Sequence, residues 1–291
     1  MDKLISIIMS TFNETNEELK CSIESILNQT YTNFELLIVD DNPNNIELEN
    51  YLRGITDSRV RIIYNKQNMG LVRSLNTALK ICKGKYIARM DADDISLENR
   101  LQEQISFLEA GNYDLVGSSI EVIDENGHHI KNEYIPKDTH VLVQKLKIKN
   151  ILPHPTWFCK RELYDRLNGY RNIPRCEDYD FILRAIKNQY KIGCVHTILL
   201  KYRIRANSIT QSHYSEQYVL SKYLCKAIER NMSIENIENY IHSIKYAKNV
   251  TKYKKFKRAK DHIKNGRFSC ADIATIITNK YIFESLRDKL C

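Results

Sequence analysis

Short apolar runs alternate with amphipathic segments of helical period through the first hundred residues of the chain. Four such runs recur at roughly even intervals, at residues 4–9, 34–39, 60–64 and 86–90. Their length and composition are typical of buried strands, and the segments between them carry apolar residues on one helix face. This alternation predicts an α/β fold with a mostly parallel central sheet and helices on both faces. Ligands of such sheets bind beyond the carboxyl ends of the strands.

Local signals place individual elements. Thr15 and Glu18 have the spacing of a capping box before the first helical segment, and Gly70 precedes the second. A further helix is predicted at residues 97–108, followed by a strand at 115–122. The chain therefore keeps its strand and helix alternation beyond the fourth strand.

The second half of the chain has a mixed pattern. The turn at residues 125–127 favours a hairpin. A helix is predicted at residues 178–188, and two short strands within 191–203. From His213 onward the pattern is helical and contains no proline.

Charge divides the chain into two regions. Residues 1–210 contain 28 basic and 28 acidic residues, whereas residues 211–291 contain 16 basic and 8 acidic residues and so carry the whole net charge of +8. We therefore predict an α/β domain at 1–210 and a basic helical appendage at 211–291 that meets something anionic.

Composition also bears on the cellular compartment. No run approaches the ~20 apolar residues that a membrane-spanning helix needs, and the start runs at once into a strand pattern. The eight cysteines include no C-x-x-C pair, so the sequence predicts neither a zinc site nor a compact disulfide framework. We expect a cytoplasmic protein.

Carboxylates follow the fourth predicted strand. Asp91 and Asp93 lie two residues apart, so in extended backbone they would face one ligand together. Two hard carboxylates at this edge of a parallel sheet suit Mg²⁺ or Mn²⁺. Alone, however, a D-x-D triplet is more often a solvated loop or a helix N-cap than a metal site.

Polar residues also follow the first two strands and precede the second helical segment. Ser10 and Phe12 follow the first strand, and Asp41 follows the second, where an ordinary Asx turn is the alternative. Arg73 lies one turn into the helix after Gly70, where free backbone N–H groups can hold phosphate. A surface ion pair is an equal alternative for Arg73.

A second acidic cluster, Glu177-Asp178-Tyr179-Asp180, stands at the start of the predicted helix at 178–188. Acidic residues at a helix N-terminus interact favourably with the helix dipole, so the cluster alone can be purely structural.

Seven segments in order make the chain resemble a known family. They are ISIIMSTFN, SILNQTYTNFELLIVDDN, NMGLVRSLNTAL, GKYIARMDADD, HPTWFCKREL, GYR and CEDYDFILR. Together they resemble family 2 glycosyltransferases of the GT-A fold, in particular bacterial enzymes that build surface polysaccharides. The resemblance covers roughly residues 3–205. It does not extend to the Q-x-x-R-W segment of processive synthases, so we expect one sugar to be transferred per encounter.

The resemblance implies roles for the residues at the strand ends. Ser10, Phe12 and Asp41 would line the nucleoside site, Asp91 would approach the ribose or the metal, and Asp93 would bind Mn²⁺ or Mg²⁺. Arg73 would hold the departing diphosphate together with the metal.

The resemblance also implies which residues lie on the acceptor side. Asp178 would be the general base and Glu177 would support it, whereas Asp180 would turn away on the helix. Arg161 and His154 would shape the acceptor side, although His154, between two prolines, is equally typical of a structural hydrogen-bonding residue. A family stretch at residues 200–208 often has histidine where this chain has Arg205, which puts the local phosphate or metal contacts in question.

The implied reaction is inverting, metal-dependent transfer of a single sugar from a nucleoside diphosphate sugar, most simply a UDP-hexose. The acceptor would be a hydroxyl of a glycan or of a lipid diphosphate-linked acceptor in surface polysaccharide biosynthesis, such as O-antigen or capsule. Two other classes compete with this interpretation. A nucleotidyltransferase would need a glycine-rich loop after the first strand, and a non-catalytic nucleic-acid-binding module would use the basic tail. We expect no nucleic acid partner.

The basic tail suggests a membrane contact. Residues 252–260 contain six basic residues and no acid, and Tyr253 and Phe256 are spaced to share a helix face. Basic residues interleaved with aromatics can hold a helix at an anionic interface, so the protein would lie peripherally on the inner face of the cell membrane. In the alternative, these aromatics pack on the body of the protein.

Overall fold

Four parallel strands form the part of the sheet that the local pattern predicts. The computed structural model describes residues 3–205, 213–267 and 269–282. The four strands are β1 (Ile5–Thr11), β2 (Phe34–Asp40), β3 (Val60–Tyr64) and β4 (Tyr86–Asp91). They lie in the order β3-β2-β1-β4, all parallel, and each covers one of the predicted apolar runs. The predicted parallel sheet is therefore confirmed.

The sheet continues with strands from distant parts of the chain. These are β5 (Ile95–Ser96), β6 (Leu115–Ile123), β7 (His129–Glu133), β8 (Phe158–Lys160) and β9 (Ile192–Arg203). The short strand β8 lies antiparallel between β4 and β6, β9 runs parallel to β6, and β7 forms the predicted hairpin with β6. The prediction of two short strands within 191–203 is wrong, because β9 is one strand whose register against β6 shifts between Ser118 and Ile120.

Seven helices cover the sheet within residues 3–205. They are α1 (Asn16–Leu27), α2 (Ile46–Arg53), α3 (Leu71–Ile81), α4 (Arg100–Ala110), α5 (Thr139–Leu146), α6 (Arg161–Arg166) and α7 (Glu177–Lys187). The Thr15 and Glu18 capping box at the start of α1 is confirmed. Alternate residues of β1 enter different cores, since Ile7 packs with α1 and α4 whereas Ile8 packs with α3 and α7. Helices thus bury both faces of the sheet.

The described C-terminal residues form four helices. They are α8 (Tyr214–Glu229), α9 (Ile234–Ile241), α10 (Ile244–Lys264) and α11 (Cys270–Ile277). Leu220 and Leu224 of α8 pack against Tyr179 and Leu183 of α7, so the appendage rests on the helix that carries the second acidic cluster. The predicted division between residues 210 and 211 lies outside the described residues. In the described part of the chain, no helix combines the length and apolarity needed to cross a membrane.

The aromatic residues of the basic tail do not face solvent. Tyr253 is 6% exposed and Phe256 is 4% exposed, and both pack with Val219, Val250 and Tyr281. The expectation that these two rings would enter a membrane interface is therefore wrong. Their three-residue spacing places them on the buried face of α10, which packs against α8.

Candidate active site

The carboxyl ends of three parallel strands bring the first set of predicted site residues together. Ser10 of β1 lies beside Asp91 of β4, and Thr11 of β1 lies beside Asp40 of β2. Phe12 follows directly and is 38% exposed, which is unusual for a phenylalanine. The structure therefore places Ser10, Phe12 and Asp91 at one edge of the sheet, in the position where open α/β sheets bind ligands.

Asp41 organises the loop between β3 and α3. Its Oδ1 atom accepts hydrogen bonds from the backbone N–H of Met69 and from Asn65 Nδ2, both at 2.7 Å. Its Oδ2 atom accepts from the backbone N–H of Gly70 at 2.8 Å. An Asx turn was the alternative for Asp41. Such a turn is present, but Asp40 forms it, since Asp40 Oδ1 accepts from the backbone N–H of Asn42 at 3.0 Å. Asp41 thus shapes the loop that leads into α3.

We expect Asp41→Asn to loosen the 65–70 loop, because an amide NH₂ would face backbone N–H donors where a carboxylate now accepts. Hydrogen bonds to charged groups contribute about 1.5 to 3 kcal/mol each. Hydrogen exchange should show faster exchange of the Met69 and Gly70 amides than in the wild type. Asp57→Asn, before β3 at the opposite edge of the sheet, serves as the control. Unchanged protection of those two amides would contradict the role given to Asp41.

Arg73 stands exposed on the first turn of α3. Among the described residues no carboxylate pairs with its guanidinium, so the alternative of a surface ion pair is not found there. Gly70 precedes the helix with φ of +81° and offers no side-chain cap. The first turn of α3 therefore presents free backbone N–H groups and one cation, which together suit an anion.

Three carboxylates cluster directly after β4. Asp91 is the last residue of the strand, and Asp93 lies in the turn that follows. One oxygen from each of Asp91, Asp93 and Asp94 lies within 4.8 Å of the others. The prediction that the Asp91 and Asp93 carboxylates lie together is confirmed. They are brought together by the turn after the strand, and not by extended backbone as the sequence suggested. The turn also adds Asp94, which was not predicted.

The cluster is electrostatically unfavourable without a cation. Burial, followed by the negative charge of Asp91, raises the pKa of Asp93 to about 7. Burial also raises the pKa of Asp94 well above its usual range. The Oδ1 atom of Asp94 accepts from the backbone N–H of Arg203 at 2.8 Å, but its Oδ2 atom is buried and has no hydrogen-bond partner in the described structure. A divalent cation would satisfy this atom and offset the clustered charge.

Two arginines that the sequence did not assign flank the carboxylates. Arg89 is 3% exposed and forms an ion pair with Asp91. Although burial by itself lowers the pKa of Arg89, the Asp91 carboxylate raises it above the usual arginine value. From the other side, Arg205 Nη2 lies 3.0 Å from Asp93 Oδ2 and 3.2 Å from Glu18 Oε2. Arg205 thus contacts a predicted metal ligand directly.

The second acidic cluster lies at the N-terminus of α7. Asp178 is half-buried; its Oδ2 atom accepts from Asn150 Nδ2 at 2.7 Å and its Oδ1 atom from the backbone N–H of Tyr179 at 2.6 Å. Burial raises the pKa of Asp178, and the positive charge of Arg89 opposes that rise. Burial and the Asp178 charge raise the pKa of Glu177 to about 8. The charge of Arg89, which pairs with Asp91, thus also acts to lower the pKa of Glu177 and Asp178 in the second cluster.

Asp180 belongs to the packing of the helix. Its side chain is fully buried and forms ion pairs with Arg171 and with Arg184, whose Nε atom lies 2.8 Å from Asp180 Oδ2. Arg184 also donates to the carbonyl of Gly169 at 2.9 Å. Asp180 thus fixes the loop before α7, and both of its oxygens are occupied.

We expect Glu177→Gln to stabilise the metal-free protein increasingly as pH rises from about 4.5 to about 8. Folded Glu177 keeps its proton up to a pKa of about 8, whereas the unfolded side chain releases it near its usual 4.5. Stability is therefore lost as pH rises between these values, and the glutamine variant avoids that loss. Urea unfolding in EDTA should show a gain on the order of 5 kcal/mol at pH 9 relative to the difference at pH 4. A difference that does not change with pH would contradict the assignment.

Two residues that were expected on the acceptor side instead make structural hydrogen bonds within the domain. His154 is buried, and its Nε2 atom lies 2.7 Å from the hydroxyl of Tyr170. Burial lowers the pKa of His154 well below its usual value, so the ring is neutral. Arg161 donates to the carbonyl of Cys82 at 2.6 Å, beside the start of β4 and therefore at the edge of the sheet opposite Asp91. The expectation that Arg161 shapes the acceptor side is therefore wrong. His154 has the structural hydrogen-bonding role that was its alternative.

A mostly parallel sheet with acidic clusters at its carboxyl edge is the arrangement expected of a glycosyltransferase of the GT-A fold. The profile described as "Glycosyl transferase family 2" matches residues 6–167, more than half of the chain. The chain belongs to glycosyl transferase family 2.

Curated relatives agree with this assignment. An uncharacterised glycosyltransferase of Methanocaldococcus jannaschii, MJ1057, is 39% identical over 79% of this chain and 81% of its own. The O-antigen biosynthesis glycosyltransferase WbnJ of Escherichia coli is 35% identical over 80% of this chain and 92% of its own. The E. coli UDP-Glc:alpha-D-GlcNAc-diphosphoundecaprenol beta-1,3-glucosyltransferase WfgD is 33% identical over 74% and 83% of the two chains.

Solved structures share the fold. S. aureus TarS in complex with UDP-GlcNAc has a TM-score of 0.63 at 19% identity, covering 79% of this chain and 67% of its own. The mannosyltransferase PcManGT of Pyrobaculum calidifontis, in complex with GDP-Man and Mn²⁺, has a TM-score of 0.60 at 15% identity, covering 96% and 79%. At these identities the likeness establishes the GT-A fold.

Proposed function

We propose that the protein transfers one sugar from a nucleoside diphosphate sugar, with inversion, to a hydroxyl of a growing surface polysaccharide. The observation that carries the proposal is the presence of two acidic clusters that both feel the charge of the buried Arg89. One cluster, Asp91 to Asp94, suits a cation and a diphosphate. The other contains Asp178, a carboxylate with a raised pKa that suits a general base.

The donor would lie along the carboxyl edge of β1, β2 and β4. Phe12 offers an exposed ring for stacking on the base, and Ser10 lies beside Asp91 for contact with the ribose. Arg73 and the first turn of α3 would hold the diphosphate. Because Asp41 already accepts three hydrogen bonds from the 65–70 loop, it would act on the nucleoside mainly by fixing that loop.

The carboxylates fit a divalent cation. Asp91 and Asp93 would supply oxygen ligands, and the unsatisfied Oδ2 atom of Asp94 lies in the same cluster. Mn²⁺ or Mg²⁺ bound here supplies positive charge that stabilises the departing diphosphate. Arg205 would leave Asp93 when the cation binds, since both compete for the same carboxylate.

The reaction would be a single displacement. The acceptor oxygen attacks the anomeric carbon, the bond from that carbon to the diphosphate breaks, and the proton of the acceptor hydroxyl passes to Asp178. Asn150 holds Asp178 in position through its side-chain amide. Glu177, which keeps its proton near neutral pH, would avoid placing a second negative charge beside the base.

The acceptor proposed is a lipid diphosphate-linked glycan, supported by the name of the relative WfgD. Such an acceptor would place the enzyme near a membrane, where the appendage would contribute charge without aromatic insertion. Lys255 and Arg258 are exposed on α10, whereas Lys254 pairs with Glu216 at 2.7 Å. Sedimentation with vesicles of graded anionic content should rise with anionic lipid and fall with salt.

A donor screen tests the central proposal. UDP-, GDP- and dTDP-sugars are compared by saturation-transfer NMR with Mn²⁺ present, and the best binder is then assayed for release of the nucleoside diphosphate. We expect a UDP-hexose to bind and to be consumed only when a cation is available. The absence of binding by every nucleotide sugar would overturn the proposal.

A further inference from the structure

A basic cavity lies among the C-terminal helices, lined wholly by residues outside the α/β sheet. Its volume is about 290 Å³, at the lower end of the range of small-molecule sites. Five of its lining residues are cations: Lys222, Lys226, Arg230, Lys245 and Lys280. No acidic side chain is among the described residues that line it. Cations from α8, from α10 and from the residues after α11 therefore converge on one space.

Three of these cations have no carboxylate partner in the part of the chain that the structure describes. Within residues 3–205, 213–267 and 269–282, no carboxylate forms an ion pair with Lys226, Arg230 or Lys245. Lys280 donates to Asn249 Oδ1 at 3.2 Å, which is a neutral acceptor. Like charges brought together in a concave site repel each other, and an anion would relieve that repulsion.

Ring packing gives the cavity a defined wall. Tyr223 of α8 and Tyr240 of α9 line it and stack with ring centroids 3.7 Å apart, at an interplanar angle of 11°. Met232, in the loop between these two helices, also lines the cavity. The cations are therefore mounted on helices that pack against one another, and not on a flexible tail.

We propose that this cavity binds a phosphate or diphosphate group. Ammonium groups bind phosphate oxygens as point charges, and the Arg230 guanidinium offers paired N–H donors that match two of those oxygens. Five cations around a small concave space fit a compact, multiply charged anion better than a single carboxylate or an extended polyanion. The group can belong to a lipid headgroup or to a soluble phosphate compound. The proposal stands independently of the transfer reaction, since no residue of the donor site takes part.

The cavity also adjoins the segment that holds the proposed base. Lys222 contacts the carbonyl of Ile148, and two residues later Asn150 donates to Asp178. A phosphate bound in the cavity would thus lie against the acceptor side of the protein, and not against the donor edge of the sheet.

Methionine methyl groups provide separate probes of the two sites. In protein labelled with ¹³C at the methionine methyls, Met232 reports on the cavity, whereas Met69 and Met90 report on the donor edge. We expect inorganic pyrophosphate, titrated in the presence of EDTA, to shift the Met232 signal at lower concentrations than it shifts the other two. EDTA matters because the metal-free carboxylate cluster repels pyrophosphate.

Two charge-matched variants test the assignment. Lys226→Gln with Arg230→Gln removes two cations of the cavity and should raise the apparent Kd for pyrophosphate about tenfold or more. Lys252→Gln with Lys255→Gln removes the same charge from the exposed face of α10 and should leave the Kd within about twofold. Equal weakening by both pairs would mean a diffuse charge effect and would overturn the proposal, as would a Met232 signal that does not respond.

A vesicle experiment separates the two sources of the phosphate. Phosphatidylcholine vesicles with and without phosphatidic acid are sedimented with the wild type and with both variant pairs. Binding to phosphatidic acid that only the cavity variant loses, and that pyrophosphate competes away, supports a lipid headgroup. A Met232 response to pyrophosphate together with equal sedimentation of both pairs supports a soluble phosphate compound. Tighter competition at Met232 by single-stranded RNA than by pyrophosphate would assign the surface to nucleic acid and overturn the proposal.

Discussion

Asp178→Asn should lower the rate of sugar transfer at least about a hundredfold while donor affinity stays within about twofold, the scale expected when a general base is lost. The substitution keeps the size of the side chain, and its carbonyl oxygen can still accept from Asn150. It removes the ability to take a proton from the acceptor hydroxyl. Because Asp178 accepts from Asn150 and from the backbone N–H of Tyr179 with different oxygens, the amide also gives up one of these two hydrogen bonds. Single-turnover rates with saturating donor measure the effect, and NMR titration of the donor provides the binding control.

The pH dependence gives the same prediction a second readout. Because burial raises the pKa of Asp178, the base carries a proton at a higher pH than an ordinary aspartate. The transfer rate should therefore rise with pH through that raised pKa, and Asp178→Asn should lose this acidic limb. A variant that keeps more than about a tenth of the wild-type rate would contradict the assignment of the base.

Asp180→Asn is an informative comparison, because we expect it to lose stability and not the general base. Asp180 is buried between two arginines, and removing one partner of a buried ion pair typically destabilises a protein by about 3 to 5 kcal/mol. We expect its melting temperature to fall by about 6 °C or more, whereas Asp178→Asn, which gives up one hydrogen bond but no ion pair, should melt closer to the wild type. Rate and stability measured together distinguish the base from the structural carboxylate.

The parts of the fold that sequence reasoning recovered are those with local signals. The strands β1 to β4 are continuous apolar runs, and α1 begins with a capping box, so a few neighbouring residues determine each element. The strand β8, by contrast, has only three residues and exists because it pairs with β4 on one side and β6 on the other. No periodicity can reveal a strand that short.

Arg89 is the site residue that the sequence could have disclosed. It interrupts an otherwise apolar run and lies two residues before Asp91, so both side chains share one side of β4. A buried charge in a strand requires a partner, and the nearest carboxylate on the same side is Asp91. Its influence on Glu177 and Asp178, by contrast, depends on the packing of α7 almost ninety residues later.

The contacts of Arg205, by contrast, could not be predicted from the sequence. The sequence marked it as unusual for the family, but its pairing with Asp93 and Glu18 joins residues more than a hundred positions apart. Only the path of β9 beside β6 brings Arg205 to the carboxylate cluster. The same reasoning applies to Tyr253 and Phe256, whose spacing fits a membrane face and a packed face equally well.

Asp93→Ala should abolish transfer, with a loss of at least about thirtyfold, because it removes a ligand of the proposed cation. About 2 kcal/mol of transition-state stabilisation is the least that a cation bound to the diphosphate should supply. EDTA should inhibit the wild type to a similar extent, and excess Mn²⁺ should restore it. Full activity in excess EDTA would contradict a metal-dependent mechanism.

Arg205→Gln should strengthen cation binding, whereas Asp93→Ala should weaken it, so the two variants form a matched pair. The Arg205 guanidinium lies 3.0 Å from Asp93 and so competes with a cation for that carboxylate. Removing this charge leaves three carboxylates within 4.8 Å of one another with one fewer positive charge beside them. Titration of Mn²⁺ followed by electron paramagnetic resonance, without any nucleotide, should therefore show tighter binding in Arg205→Gln and weaker binding in Asp93→Ala than in the wild type. Equal affinities in all three proteins would place the cation elsewhere, because both substitutions act on the same carboxylate.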